Sequence, residues 1–124
     1  MPATQNFILA KGYPAAAAIT KKRAVKFVGD GTQSVTPITA VGDIVVGVAL
    51  FSVSAAEIIK GKKASIMTDG RVVMESGVAA IAEGALVYID SVGRATNIVT
   101  GATLIGTCDE PATAVGGECS VSLV

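Results

Sequence analysis

The chain has 124 residues and a formal net charge of zero; 51% of it is apolar, 16% is charged, and histidine and tryptophan are absent. This length predicts one domain, and the lack of histidine excludes Ser-His-Asp catalysis and imidazole metal ligands. The 28 Val and Ile residues outnumber five Leu, which favours pleated sheets over a coiled coil. Because a small domain cannot bury so much apolar surface alone, we expect assembly with other copies or docking onto something larger.

Charge is distributed unevenly along the chain. Residues 1–29 contain five basic and no acidic side chains, whereas residues 64–124 contain two basic and seven acidic ones. A neutral chain is not a general polyanion binder, so we expect no direct contact with nucleic acid. Two interpretations of the basic start remain open, a charge-guided contact with a neighbouring molecule and a solvated basic tail.

Residues 1–23 show no sustained hydrophobic period, and we interpret them as an extended, mobile N-terminal arm before a single β-rich domain of residues 24–124. Some arm residues are candidate contacts for another chain because they are apolar or basic: Phe7, Ile8, Leu9, Lys11, Tyr13, Lys21, Lys22 and Arg23. The run Lys21-Lys22-Arg23 has no interleaved aromatic residues, so an acidic protein surface fits it at least as well as nucleic acid.

Neither an export signal nor a membrane segment is expected. The first residues lack a positive n-region, and residues 7–10 are too short for an h-region. The longest apolar stretch, residues 44–56, is shorter than a spanning helix and is interrupted by Gly47 and Ser52. We expect a soluble protein made in a cytoplasm, with no membrane partner.

Short strand patterns separated by glycine-marked turns follow the arm. A strand over 43–51 is expected to be central and buried on both faces, and one around Pro37 is expected at a sheet edge. The other predicted strands cover residues 24–27, 63–68, 71–75, 85–90, 94–97, 103–108 and 119–124. This succession predicts an all-β fold, and the choice between a small β-barrel and a β-sandwich stays open.

Two local signals are stronger than the rest. Ser54 and Glu57 have the spacing of a capping box, and Gly61 suits the position after a helix C-terminus, so one short helix is predicted over 54–61. Asp69-Gly70 lies between two strand patterns and is the strongest hairpin signal of the chain.

Cys108 and Cys119 are the two cysteines, and each sits at the inner end of one of the last two predicted strands. A cross-strand disulfide is geometrically conceivable if the register sets them opposite each other. Because no export signal is recognised, reduced and buried thiols are favoured. Two cysteines do not complete a zinc site, and Asp109-Glu110 is expected in a solvated loop. We expect no catalytic residue, no metal and no cofactor.

Five motifs follow one another in residues 41–124, with the helix signal between the first two. They are VVGVAL at 45–50, ASIMTDGRV at 64–72, AEGALVYID at 82–90, TLIGT at 103–107 and GGECSVSL at 116–123. In order and spacing they resemble the capsid cement, or head decoration, proteins of tailed bacteriophages. The long arm and Cys108, where the family usually has a small residue, depart from the family pattern.

The resemblance implies a structural virion protein without enzymatic activity, made in the host bacterial cytoplasm. It implies homotrimers on the capsid exterior, at three-fold and quasi-three-fold positions of the expanded head, that stabilise the head against internal DNA pressure. The implied partners are further copies of the chain and the major capsid protein, which the arm contacts. Two alternatives stay open: another phage β module, such as a tail-tube, fibre-base or spike component, and a small carrier or enzyme domain.

Overall fold

The computed structural model describes residues 10–123, and this range is mostly β-structure. The strands are β1 (Ala10–Tyr13), β2 (Ala24–Phe27), β3 (Val35–Pro37), β4 (Gly47–Ala49), β5 (Ala64–Met67), β6 (Arg71–Glu75), β7 (Leu86–Ile89), β8 (Ala95–Thr96), β9 (Thr103–Glu110) and β10 (Glu118–Leu123). The helix α1 spans Ala55–Ile59. Within residues 10–123, no helix is long and apolar enough to cross a lipid bilayer.

The strands form two antiparallel sheets of five strands each. The first sheet has the order β1-β5-β4-β2-β3, and the second has the order β6-β10-β9-β7-β8. Val48 of the first sheet packs in one buried cluster with Met74, Val87 and Val121 of the second, so the main core lies between the sheets. The all-β prediction is confirmed, and the described residues form a sandwich rather than a closed barrel.

A second buried cluster lies on the other face of the first sheet. Successive residues of a strand point to opposite faces, and Val48 belongs to the main core whereas Ala49 belongs to this second cluster. Ala15 and Ile19 cover the second cluster, and Ile19 is 3% exposed. The expected arm of residues 1–23 therefore has a packed portion, residues 10–23, held by this apolar contact. Its portion 1–9 lies outside the described residues.

The hairpin predicted at Asp69-Gly70 is wrong, although the chain does turn there. Strand β5 is paired on both edges, with β1 and with β4, so it has no free edge for β6. Strand β6 pairs instead with β10 in the second sheet. The turn thus carries the chain from one sheet to the other, and Gly70 supplies a left-handed residue with φ of 85°.

The predicted strand over residues 43–51 is central, but it is much shorter than expected. Only Gly47–Ala49 forms β4, in the middle of the first sheet, and all three residues are buried. Ile44 lies outside the strand and is 84% exposed. The prediction failed there because a run of apolar residues does not reveal where a loop holds the chain away from the sheet.

Other local predictions are confirmed. Strand β3, which contains Pro37, is an edge strand. Ser54 and Glu57 form the complete capping box at α1, and Gly61 has a left-handed φ of 87°. The last two strands, β9 and β10, pair as expected, but a register shift sets Cys108 opposite Val121, and Cys119 lies opposite Met74. Both thiols are free and buried.

Candidate functional site

The residues that the sequence singled out for contact with another chain divide into three groups. Phe7, Ile8 and Leu9 lie outside the described residues. Lys11 is exposed on β1, the outer strand of the first sheet, and Tyr13 of the same strand packs edge-to-face on the ring of Phe27, with centroids 5.6 Å apart.

The third group, Lys21, Lys22 and Arg23, forms the turn before β2. Lys21 is exposed, whereas Lys22 forms an ion pair with Glu118, and Arg23 forms one with Glu75. Two of the three cations are therefore neutralised within the chain, which the sequence analysis did not consider. Part of the basic charge near the start of the chain is thus paired with acidic side chains of the second half.

These ion pairs belong to a connection between the two sheets, which we call the clasp and which consists of Lys22, Arg23, Glu75 and Glu118. The main chain of Lys22 joins both sheets, because its N–H donates to Ala49 O over 2.8 Å and its carbonyl accepts from Glu75 N over 2.9 Å. Lys22 holds a left-handed backbone with φ of 65°. This conformation costs a non-glycine residue about 1 kcal/mol or more, so the surrounding contacts must enforce it.

A loop anchored by Asp43 shapes the surface beside β4. The Asp43 carboxylate accepts from Lys26 Nζ over 2.9 Å and from the N–H groups of Thr39 and Ala40 over 3.0 Å each. The Lys26 hydrogen bond, followed by that of Thr39, lowers the pKa of Asp43 to about 2. Thr103 donates to the main-chain oxygen of Asp43 over 2.8 Å. This anchoring holds the following residue, Ile44, out in solvent.

Ile44 borders an apolar groove at one end of the sandwich, which we call the end groove. The residues that line it come from the loop before β4, from the ends of β5 and β10 and from the start of β9: Ile44, Val45, Val46, Gly47, Thr68, Thr103, Leu104, Ile105 and Leu123. The groove encloses about 150 Å³ and has no charged residue in its lining. Leu104 at its rim is 43% exposed.

A wider cleft continues on the other side of Ile44. It has a volume of about 520 Å³ and is lined by Lys26, Phe27 and residues 42–46. Phe27 is 43% exposed. The sequence analysis missed both concavities because it assigned residues 43–51 to a buried strand; the turn residues Gly42-Asp43 before Ile44 were the signal that could have revealed a loop.

Among the described residues, few side chains are arranged for nucleophilic attack or for metal binding. No group of three or more Cys, Asp or Glu side chains in residues 10–123 is arranged to hold a metal ion. Burial raises the pKa of Cys119 to about 11 and also raises that of Cys108. A buried thiol with so little thiolate is a poor nucleophile, and Cys108 Sγ instead contacts Glu110 O at 3.1 Å.

Two glycines of the sequence motifs are required by close approach of neighbouring strands. A Cβ on Gly47 would collide with the main-chain oxygen of Met67, and a Cβ on Gly106 would collide with that of Ser122. Gly47 lies in the VVGVAL motif and Gly106 in the TLIGT motif. These motifs therefore report strand contacts within the sandwich.

Comparison with known proteins agrees with this fold. The sequence model of a family described as "Phage cement protein" matches residues 13–123. A chain from a solved structure titled "The capsid of Myoviridae Phage XM1" has the same fold, with a TM-score of 0.70 and 18% identity, over 91% of this chain and 81% of that one. A search of curated proteins gave no match. Since the family match spans nearly the whole sandwich, the chain belongs to the phage cement proteins, a family of capsid-associated structural proteins.

Proposed function

We propose that this protein forms homotrimers on the exterior of the expanded phage head, at three-fold and quasi-three-fold positions, and stabilises the head against the pressure of packaged DNA. The observation that carries the proposal is the family match over residues 13–123. The fold is consistent with a structural role, because the described residues form two packed sheets and two apolar cores.

The surface of the sandwich supports assembly. Large apolar side chains are exposed at several places, among them Ile44, Phe51, Ile59, Ile98 and Val115. Contacts with other copies or with a shell would remove such side chains from water. A protein that binds only the expanded lattice favours that lattice by mass action, and three linked copies strengthen weak single contacts.

The first sheet also has an edge that suits contact with a shell. Strand β1 is the outermost strand, and within the described residues its one strand partner is β5. A strand of the major capsid protein could extend the sheet there by main-chain hydrogen bonds. Lys11 lies on β1 and Lys21 lies in the turn before β2; both are exposed, and neither forms an ion pair with residues 10–123. We therefore propose these two lysines as the cations that contact an acidic patch of the shell. Phe7, Ile8 and Leu9 are the proposed apolar anchors.

Lys22 and Arg23 have a different part in this proposal. Their charges are engaged by Glu118 and Glu75, so they hold residues 10–23 against the second sheet rather than reach toward a partner. The exposed cations Lys11 and Lys21 are therefore the ones expected to change head binding.

Charge reversal tests the proposed contact. Lys11→Glu with Lys21→Glu should weaken binding to expanded heads at least tenfold in a co-sedimentation assay. Lys60→Glu, set against Lys11→Glu alone, is the matched control, since Lys60 is exposed beyond α1; it should bind like the native protein. Equal losses in both variants would contradict a specific basic contact.

Light scattering on the purified protein tests the trimer. A monomer at high micromolar concentration would overturn the homotrimer, and hexameric rings or tubes in micrographs would indicate a tail or fibre component instead.

A further inference from the structure

We infer that the end groove receives an apolar side chain of the major capsid protein, and that Ile44 is the main contact of this chain there. The inference rests on the proposed function, because it adds a second part to the surface that meets the expanded head. Three features carry it: the fixed position of Ile44, the chemistry of the hollows on either side of it, and the open edge of β1 nearby.

Ile44 is exposed although the main chain beside it is held firmly. The carboxylate of the preceding residue, Asp43, accepts hydrogen bonds from Lys26 and from two main-chain N–H groups, and its carbonyl accepts one from Thr103. Ile44 itself is 84% exposed, so its side chain adds little to the core. Because the loop is already ordered, little main-chain entropy is lost when a partner covers this side chain.

The hollows on the two sides of Ile44 suit an apolar partner. The end groove encloses about 150 Å³ and no charged side chain is among the described residues that line it; a cavity of that volume accommodates a group the size of a benzene ring. The wider cleft contains Phe27, and its two charged residues, Lys26 and Asp43, pair with each other over 2.9 Å. An apolar side chain is therefore the occupant that the lining favours.

The place of the groove in the fold favours the major capsid protein over a second copy. Ala10 of β1 pairs with Met67 of β5, and the next residue, Thr68, lines the groove. The Cα atoms of Ala10 and Thr68 are thus no more than about 10 Å apart. The exposed cation Lys11 follows Ala10 on the same outer strand. A shell protein that contacts this edge therefore comes within reach of the groove.

Binding of variants to expanded heads tests the inference. Ile44→Asp places a charge between the two hollows and should weaken co-sedimentation about tenfold or more, whereas Ile44→Leu should bind like the native protein. Val115→Asp is the matched control and should also bind like the native protein. Val115 is 61% exposed and lies between β9 and β10, at the ends of these strands that the groove does not reach. Equal losses in Ile44→Asp and Val115→Asp, or no loss in Ile44→Asp, would contradict the inference.

Light scattering on Ile44→Asp separates the two occupants. The variant should keep the oligomeric mass of the native protein, and urea unfolding should give the native midpoint because the side chain is exposed. A lower mass would assign the groove to a second copy and would overturn the inference.

Photo-cross-linking identifies the occupant directly and covers the case in which Ile44→Asp misfolds. Ile44→p-benzoylphenylalanine keeps an apolar side chain, and illumination of decorated heads should attach it to the major capsid protein, as mass spectrometry of the adduct would show. The same substitution at Val115 is the control and should give no such adduct. An adduct between two copies of this chain, or no more adduct than the Val115 control gives, would contradict the inference.

Failure of this inference and failure of the proposed function give different results. If the native protein does not bind expanded heads, the proposed function fails and the inference fails with it. If the native protein binds and Ile44→Asp binds equally well, the proposed head contact stands and the groove has no part in it.

Discussion

The guanidinium of Arg23 donates to both carboxylate oxygens of Glu75, from Nε over 3.0 Å and from Nη2 over 3.4 Å. Arg23 immediately precedes β2 of the first sheet, and Glu75 ends β6 of the second. This two-point contact, with the main-chain bonds of Lys22, fastens the packed N-terminal portion of the chain across both sheets. A truncation that probes the N-terminal segment must therefore stop at residue 9.

Removing the Arg23 charge should destabilise the sandwich. Arg23→Met breaks a partly buried, two-point ion pair and should lower the free energy of unfolding by about 1 kcal/mol. Lys21→Met is the control, because Lys21 is exposed and should change stability by less than about 0.5 kcal/mol. Urea unfolding measures both, and equal values for the two variants would contradict the clasp.

Gly106→Ala should destabilise the pairing of β9 with β10, because the added methyl group collides with the main chain at Ser122. Overpacking of this kind costs about 1–3 kcal/mol. Gly12→Ala lies in a strand too, but its nearest atoms belong to Lys63 at 3.8 Å, so it should be nearly neutral. Thermal unfolding compares the two variants. If Gly106→Ala is as stable as the native protein, β9 and β10 can separate at that point without loss of stability.

Asp43 should contribute to acid sensitivity. Its pKa is lowered from 3.8 to about 2 in the folded protein, so its stabilising effect is complete above about pH 4 and is lost as the pH falls toward 2. Asp43→Asn should therefore be less stable than the native protein at neutral pH, and the difference should shrink between pH 4 and pH 2. Lys26→Met, which removes the largest cause of the shift, should reduce the native slope in the same interval.

Urea unfolding at a series of pH values checks this expectation. The Asp43→Asn curve should keep a residual acid slope, because Glu57 also has its pKa lowered to about 2 by the capping box and by Lys62. A difference between native protein and Asp43→Asn that stays constant from pH 6 to pH 2 would contradict the role of the ionised carboxylate.

Both thiols should be slow to react in the folded protein. Burial raises the pKa of Cys119 to about 11 and raises that of Cys108, so little thiolate is present at pH 8. A chromogenic disulfide reagent should label them fast only after denaturant unfolds the chain. Labelling of the native protein at the rate of the unfolded chain would show that the strands carrying them open readily.

Local sequence signals predicted local structure well. Ser54, Glu57 and Gly61 determine the ends of α1 by contacts a few residues apart, and Pro37 marks an edge strand because proline lacks the N–H that a central strand needs. These features depend on neighbours in sequence, which a single chain displays directly.

Features that depend on distant partners were not predictable. Asp69-Gly70 has a hairpin sequence, but a hairpin also requires that the two flanking strands pair with each other. Strand β5 has β1 on one edge and β4 on the other, so β6 cannot pair with it. The register that sets Cys108 opposite Val121 includes a shift between Ser120 and Val121, where β9 carries one extra residue, Asp109. Residues 10–23 are packed because Ile19 covers an apolar face of the first sheet. These residues have no hydrophobic period from which this contact could have been predicted.

The order of the motifs indicated the family, and two glycines in those motifs, Gly47 and Gly106, lie where neighbouring strands approach closely. The candidate site was harder to predict from the sequence than the family was. Lys22 and Arg23 were recognised as a basic cluster, but their partners Glu118 and Glu75 are far away in the chain, so their internal pairing was missed. The end groove depends on Asp43 holding Ile44 away from the sheet.

The most direct test of the proposed function is to mix the purified protein with expanded heads and, separately, with procapsids, and to measure occupancy by cryo-electron microscopy. We predict saturable trimeric density on the outside of expanded heads, at three-fold and quasi-three-fold positions, with none on procapsids. Equal binding to both lattices, or no binding to expanded heads, would contradict the proposal that the protein stabilises the expanded head.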